Sequence, residues 1–235
     1  MRRVVVLAAD SPLGRSIVDE ASTRALELTA VVRDPLRWPS PSPVSVIRGD
    51  LLDLTCPERL IGGGAVVVVP FGSSDSSRID FAADLHVATV LGHVSERVGS
   101  ATTRFVLAGR ASAASATEHV AGPRTRRVDD GGRQLAEHAV LAVYATFADL
   151  QWEYVSPSGR IRAQEVSGPP DRLLAASQRL FATRRARPIA DYLATIVDSV
   201  EHHLDQVSPS ASSAATPGGS RVASPSARAT ARQET

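Results

Sequence analysis

The stretch Val4-Val5-Val6-Leu7-Ala8-Ala9-Asp10-Ser11-Pro12-Leu13-Gly14-Arg15-Ser16-Ile17-Val18 decides the fold. A run of apolar and β-branched residues gives way to a short polar turn. The apolar positions then recur at helical spacing through Leu13, Ile17 and Val18. Strand, tight turn and helix in that order open a doubly wound α/β sheet. In such a sheet, a dinucleotide pyrophosphate rests on the N-terminus of the first helix. Three glycines usually shape that turn, and here only the third, Gly14, is present. Ala8 and Ser11 occupy the first two places, and Pro12 removes one N–H donor. The turn therefore has two readings, a phosphate cradle or a purely structural corner.

The rest of the chain extends the α/β pattern. Apolar, strand-like runs fall at residues 3–8, 28–32, 44–48, 65–70, 103–108 and 153–156. Helical periodicity fills 14–23, 84–98, 130–148 and 189–204. Within 84–98 the residues Leu85, Ala88, Leu91, Val94 and Val98 share one face. Trp38 to Pro43 holds three prolines and reads as the loop between the second and third strands. From about Val207 the composition shifts to Ser, Ala, Pro, Gly, Thr and Arg with no aromatic residue, which predicts disorder. The expected organisation is one domain over residues 1–206 and a disordered tail over 207–235.

Composition excludes several functions. With 235 residues the chain is long enough for one well-buried α/β domain. Its 43% hydrophobic and 22% charged residues are ordinary for a globular protein. A net charge of +1 gives no reason to expect nucleic acid or a membrane surface as a partner. The first strand begins at once, with no hydrophobic leader, and Cys56 is the only cysteine. Both features predict a protein of the reducing cytoplasm. All 26 basic residues are arginine. Without lysine there is no Schiff-base chemistry, no P-loop lysine and no Tyr-x-x-x-Lys proton relay. The histidines have no metal-ligand spacing, and no metal site is expected.

Ligands of open α/β sheets bind outside the carboxyl ends of the strands, and the candidate residues are taken from there. In the first turn they are Ala8, Asp10, Ser11, Pro12, Leu13 and Gly14. After the second strand, Arg33 suits the 2′-phosphate of NADP, where an acidic residue would suit the ribose of NAD, and Arg37 is close enough to help. Arg33 read alone is equally a solvated strand-end arginine. Asp50 and Leu51 close the third strand, where Asp50 would meet an adenine edge or cap the following helix. Pro70, Phe71 and Gly72 end the fourth strand, Ala108, Gly109 and Arg110 the fifth, and Ser156 and Pro157 the sixth. No catalytic residue is assigned.

Together these segments resemble the atypical short-chain dehydrogenase/reductases, in particular the NmrA-like and flavin-reductase-like NAD(P)H-binding proteins. The family's Gly-Ala-Thr-Gly-x-x-Gly turn aligns with Ala8–Gly14. Its Val-Arg-Asp-Pro matches Val32-Arg33-Asp34-Pro35, and its Gly-Asp-Leu-x-Asp matches Gly49-Asp50-Leu51-Leu52-Asp53. Its Leu-x-Trp-Thr-x-x-x-Pro is similar to Leu150-Gln151-Trp152-Glu153-Tyr154-Val155-Ser156-Pro157, and its Ile-x-x-x-Asp-Tyr-Ala to the segment from Ile189 to Ala194. The resemblance implies a Rossmann-type sheet binding NAD(P)H with a small-molecule acceptor, and Arg33 favours NADP over NAD. It implies one of two roles: an oxidoreductase working without a Tyr-x-x-x-Lys pair, or a non-catalytic dinucleotide-binding regulator.

Overall fold

The computed structural model of the protein describes residues 3–39, 44–49, 66–71, 81–98, 103–109, 126–182 and 187–207. Strands β1 (Arg3–Val6), β2 (Glu27–Val32), β3 (Ser45–Arg48), β4 (Val66–Pro70), β5 (Arg104–Ala108), β6 (Gln151–Ser156) and β7 (Gly159–Arg162) form one sheet. Their order across it is β3-β2-β1-β4-β5-β6-β7. The first six are parallel, and β7 returns antiparallel beside β6. The strand order turns back between β1 and β4, which places a crevice outside the C-terminal end of β1.

Helices cover both faces: α1 (Pro12–Ser22), α2 (Phe81–Val98), α3 (Arg126–Thr146), α4 (Ala163–Val166), α5 (Pro170–Ala182) and α6 (Ile189–Val207). A one-turn 3₁₀ helix spans Pro35–Arg37. Strand side chains alternate between the two faces. Val4, Val6, Val66, Val68, Val106 and Val155 pack with Ile17 and Val18 of α1 and with Tyr192, Ile196 and Val200 of α6. Val5, Leu7, Val67, Phe105, Trp152 and Tyr154 pack on the other face with Ala88, Leu91, Leu141 and Tyr144 of α2 and α3. Burial on both faces explains why these strands read as continuous apolar runs. Arg24, just after α1, clasps α6 through Asp198 Oδ1 at 2.5 Å and Glu201 Oε2 at 3.2 Å.

The six predicted strands are present with ends shifted by up to two residues. β1 stops at Val6, before the predicted end at Ala8, because Ala8 turns into positive φ, +43°. Helix α1 starts at Pro12, two residues earlier than predicted, since Ser11 supplies the cap and proline suits the first helical position. Besides the 3₁₀ turn at Pro35–Arg37, three elements were not anticipated. β7 carries a single buried apolar residue, Ile161, and α4 is one turn long, so neither leaves a periodic trace. α5 does bury Leu173, Ala176, Ser177 and Leu180 at helical spacing, and Pro170 opens it. Among the described residues no helix is long and apolar enough to cross a membrane. The predicted disordered tail lies outside the described residues, apart from Val207.

Candidate functional site

The first turn is built by its backbone. Leu7 and Ala9 donate their N–H groups to Val68 and Val31, tying the end of β1 between β4 and β2. The chain then reverses through Ala8, and the Ser11 N–H closes the corner on the Ala8 carbonyl at 2.9 Å. Positive φ is costly for a side chain bearing a Cβ, so Ala8 holds a conformation that the missing glycine would take freely. Gly14 has no substitute. A Cβ there would lie 2.3 Å from the Ala8 carbonyl oxygen, so this glycine permits the helix to start against the strand end.

The donors at the mouth of α1 can be counted. Ser11 is buried, and its hydroxyl accepts the Gly14 N–H at 3.1 Å. Pro12 has none to give, and the Arg15 N–H bonds the Ser11 carbonyl at 2.9 Å. The Leu13 N–H remains, with no acceptor among the described residues. An unsatisfied amide at the positive end of an 11-residue helix suits an anion. The residues present thus fit a diphosphate, with fewer donors than a three-glycine turn would offer.

Arg33 stands at the end of β2 and reaches over this turn. Its Nε donates to Asp10 Oδ2 at 2.9 Å, with the arginine about half exposed and the aspartate one-fifth exposed. Arg37 is almost fully exposed and lies 3.3 Å from Asp34 Oδ2, within its own 3₁₀ turn. The two arginines proposed for a 2′-phosphate therefore each have a carboxylate neighbour. Of the remaining candidates, Asp50, Leu51, Gly72 and Arg110 lie outside the described residues.

The ends of β4, β5 and β6 meet. Phe71 N–H donates to Ala108 O and Gly109 N–H to Val155 O, both at 2.8 Å, so Pro70, Phe71, Ala108 and Gly109 form one continuous rim. Ser156 and Pro157 have turn-building roles here. The Ser156 hydroxyl accepts the Ser158 N–H at 3.2 Å and donates to Gly159 O, while buried Pro157 accepts the Arg187 N–H at 3.0 Å.

Three side chains absent from the sequence-based candidate list complete the floor beneath Gly109. Tyr154 OH donates to Glu137 Oε2 at 2.5 Å, and its ring packs against Phe71 with centroids 5.7 Å apart. Tyr192 OH donates to the Gly109 carbonyl and, more distantly, to that of Val155. A Cβ on Gly109 would overlap the Tyr154 hydroxyl. Burial, then the Glu137 carboxylate, pushes both phenols well above their ordinary pKa, so they remain protonated donors at neutral pH. Tyr154 and Tyr192 do appear in the two late segments quoted for the family resemblance. Tyr154 meets Glu137 across 17 residues and Tyr192 meets Gly109 across 83, separations for which no local pattern exists.

A family model described as NAD(P)H-binding matches residues 9–199, from the first turn to well into the last helix. The chain belongs to this NAD(P)H-binding family. That agrees with the resemblance to the atypical short-chain reductases drawn from the same segments. Among solved structures, this NAD(P)H-binding chain is similar to the oxidoreductase ylbE of Lactococcus lactis. The likeness covers 83% of this chain and 97% of that one at 15% identity and a TM-score of 0.50, and it shows the shared fold. It is also similar to SP1627 of Streptococcus pneumoniae TIGR4, described as a candidate NADH-flavin reductase, at 23% identity over 67% and 72% of the two chains and a TM-score of 0.43. WbmH of Bordetella bronchiseptica, solved with NAD+, matches at 12% identity over 66% and 55% with a TM-score of 0.44. These last two, below 0.5, add no argument.

Proposed function

We propose that this member of the NAD(P)H-binding family is an NADPH-dependent reductase acting on a small organic acceptor in the cytoplasm. Arg33 carries the reading. Its ion pair with Asp10 sets the guanidinium beside the phosphate turn, where the adenosine ribose of a dinucleotide arrives when it lies across the strand ends. The Leu13 N–H and the positive end of α1 would hold the diphosphate, and Arg33, assisted by Arg37, the 2′-phosphate. Asp50 and Leu51 would border the adenine. Bound there, the nicotinamide supplies a hydride, which is the hard part of the chemistry. The rim of Phe71 and Gly109, backed by Tyr154 and Tyr192, would set the acceptor's position. Both phenol hydroxyls are buried and already engaged, Tyr154 with Glu137 and Tyr192 with the Gly109 carbonyl, so the acceptor's proton would be drawn from solvent.

A second reading, a dinucleotide-binding regulator without turnover, is favoured by Pro12, which leaves the turn one backbone donor short. NADPH fluorescence titration of wild type and Arg33→Ala tests the cofactor assignment. The expected result is about a tenfold weaker NADPH affinity in the variant with NADH little changed, the size of one charge-assisted hydrogen bond. Equal NADPH affinity in the two proteins would remove the case for NADP. Saturable NADPH binding with no oxidation in the presence of flavin or quinone acceptors would favour the regulator.

A further inference from the structure

Two acidic residues stand among the basic ones at the adenosine end of the crevice. Asp10 and Asp34 each sit within ion-pair distance of an arginine, Arg33 and Arg37 respectively, so the local charge of these four residues sums to zero. The two pairs differ in kind. Arg37 and Asp34 are neighbours on one short turn, and the arginine is solvated. Asp10 and Arg33 are 23 residues apart and bridge the phosphate turn to the end of β2, with the carboxylate mostly shielded from water. Asp10 also immediately precedes the helix cap Ser11, so its charge lies at the mouth that a diphosphate must approach.

We propose that Asp10 is a selectivity residue, an internal counter-ion that a 2′-phosphate has to displace from Arg33. The inference rests on the dinucleotide reading above and adds to it an exchange. Arg33 leaves the Asp10 carboxylate and takes the 2′-phosphate, while Asp10, left facing that phosphate and the diphosphate, opposes both. A dinucleotide with a free 2′-hydroxyl leaves the Asp10–Arg33 pair intact and needs no such exchange. Asp10 thus narrows the preference for NADPH over NADH that Arg33 would otherwise confer, and it does so through Arg33.

The test is the ratio of NADPH to NADH affinity, measured by calorimetry on wild type, Asp10→Asn, Asp10→Glu, Arg33→Ala and the Asp10→Asn/Arg33→Ala double variant. Asp10→Asn should raise the ratio about five- to tenfold, within the range of a partly exposed, hydrogen-bonded ion pair. Asp10→Glu, which keeps the charge, should stay near wild type, and the gain should vanish in the Arg33→Ala background. An unchanged ratio in Asp10→Asn, with wild type binding both dinucleotides, overturns the inference and leaves the dinucleotide reading standing. A gain that persists without Arg33 also overturns it, since Asp10 would then act by simple repulsion. If neither wild type nor Asp10→Asn binds either dinucleotide, the reading beneath the inference fails, and the inference with it.

Discussion

Replacing Glu153 by glutamine should cost the protein about 3 kcal/mol at neutral pH, and that cost should fade in acid. Glu153 lies in the middle of β6 with its carboxylate 1% exposed. On one side Oε1 meets Arg162 Nε at 3.2 Å and Arg160 Nη1 at 3.5 Å, both from β7. On the other, the Ser199 hydroxyl donates to Oε2, and His203 Nε2 stands 3.3 Å away, out of line for a full hydrogen bond. Burial alone would raise the pKa; attraction to His203, Ser199 and Arg162 outweighs it and holds the group at about 2 instead of 4.5. A fall of that size is worth about 3 kcal/mol of folding stability. The pKa is depressed in the folded state, so the contribution is complete above pH 4.5 and disappears as pH drops towards 2. Urea unfolding of wild type and Glu153→Gln, followed by fluorescence of Trp38 and Trp152, would measure the gap from pH 7 to 2. Carboxylates common to both proteins cancel in the difference. A gap below about 1 kcal/mol at pH 7, or one that stays constant through the acid range, would refute this reasoning.

Three further substitutions address the first turn. Ala8→Gly should stabilise the protein by about 1 kcal/mol in thermal or urea unfolding, because the strain at φ +43° is released. Gly14→Ala should destabilise by about 3 kcal/mol and weaken dinucleotide binding in the same titration, since its Cβ meets backbone at 2.3 Å that has no room to retreat. Ser11→Ala should cost about 1 kcal/mol through loss of the cap on Gly14; an unchanged melting temperature would mean that water replaces the hydroxyl.

The parallel part of the sheet was legible because its central strands are buried on both faces and read as apolar runs, as in Val66-Val67-Val68-Val69. The antiparallel return was not, since Gly159-Arg160-Ile161-Arg162 places two arginines around one buried residue. The same contrast holds at the site. The position of Arg33 just after β2 was readable, and Asp10 was a candidate in the first turn, but their pairing becomes evident only once parallel pairing brings the end of β2 beside the end of β1. Glu153 heads the strand predicted at 153–156, and nothing in the sequence marks its role. Its neighbours come from the next strand and from a helix more than 40 residues on, distances over which periodicity carries no information.

The clasp between the first and last helices sets an order of events during synthesis. Until α6 has left the ribosome, α1 is the one helix among the described residues that packs with Val4, Val6, Val68 and Val106, and Arg24 has neither Asp198 nor Glu201 to hold. Tyr192 is missing at that stage too, so the Gly109 carbonyl at the strand ends lacks its phenol. A nascent chain stopped after β6 exposes an oily flank to chaperones. Its strand ends take their finished shape only when α6 arrives.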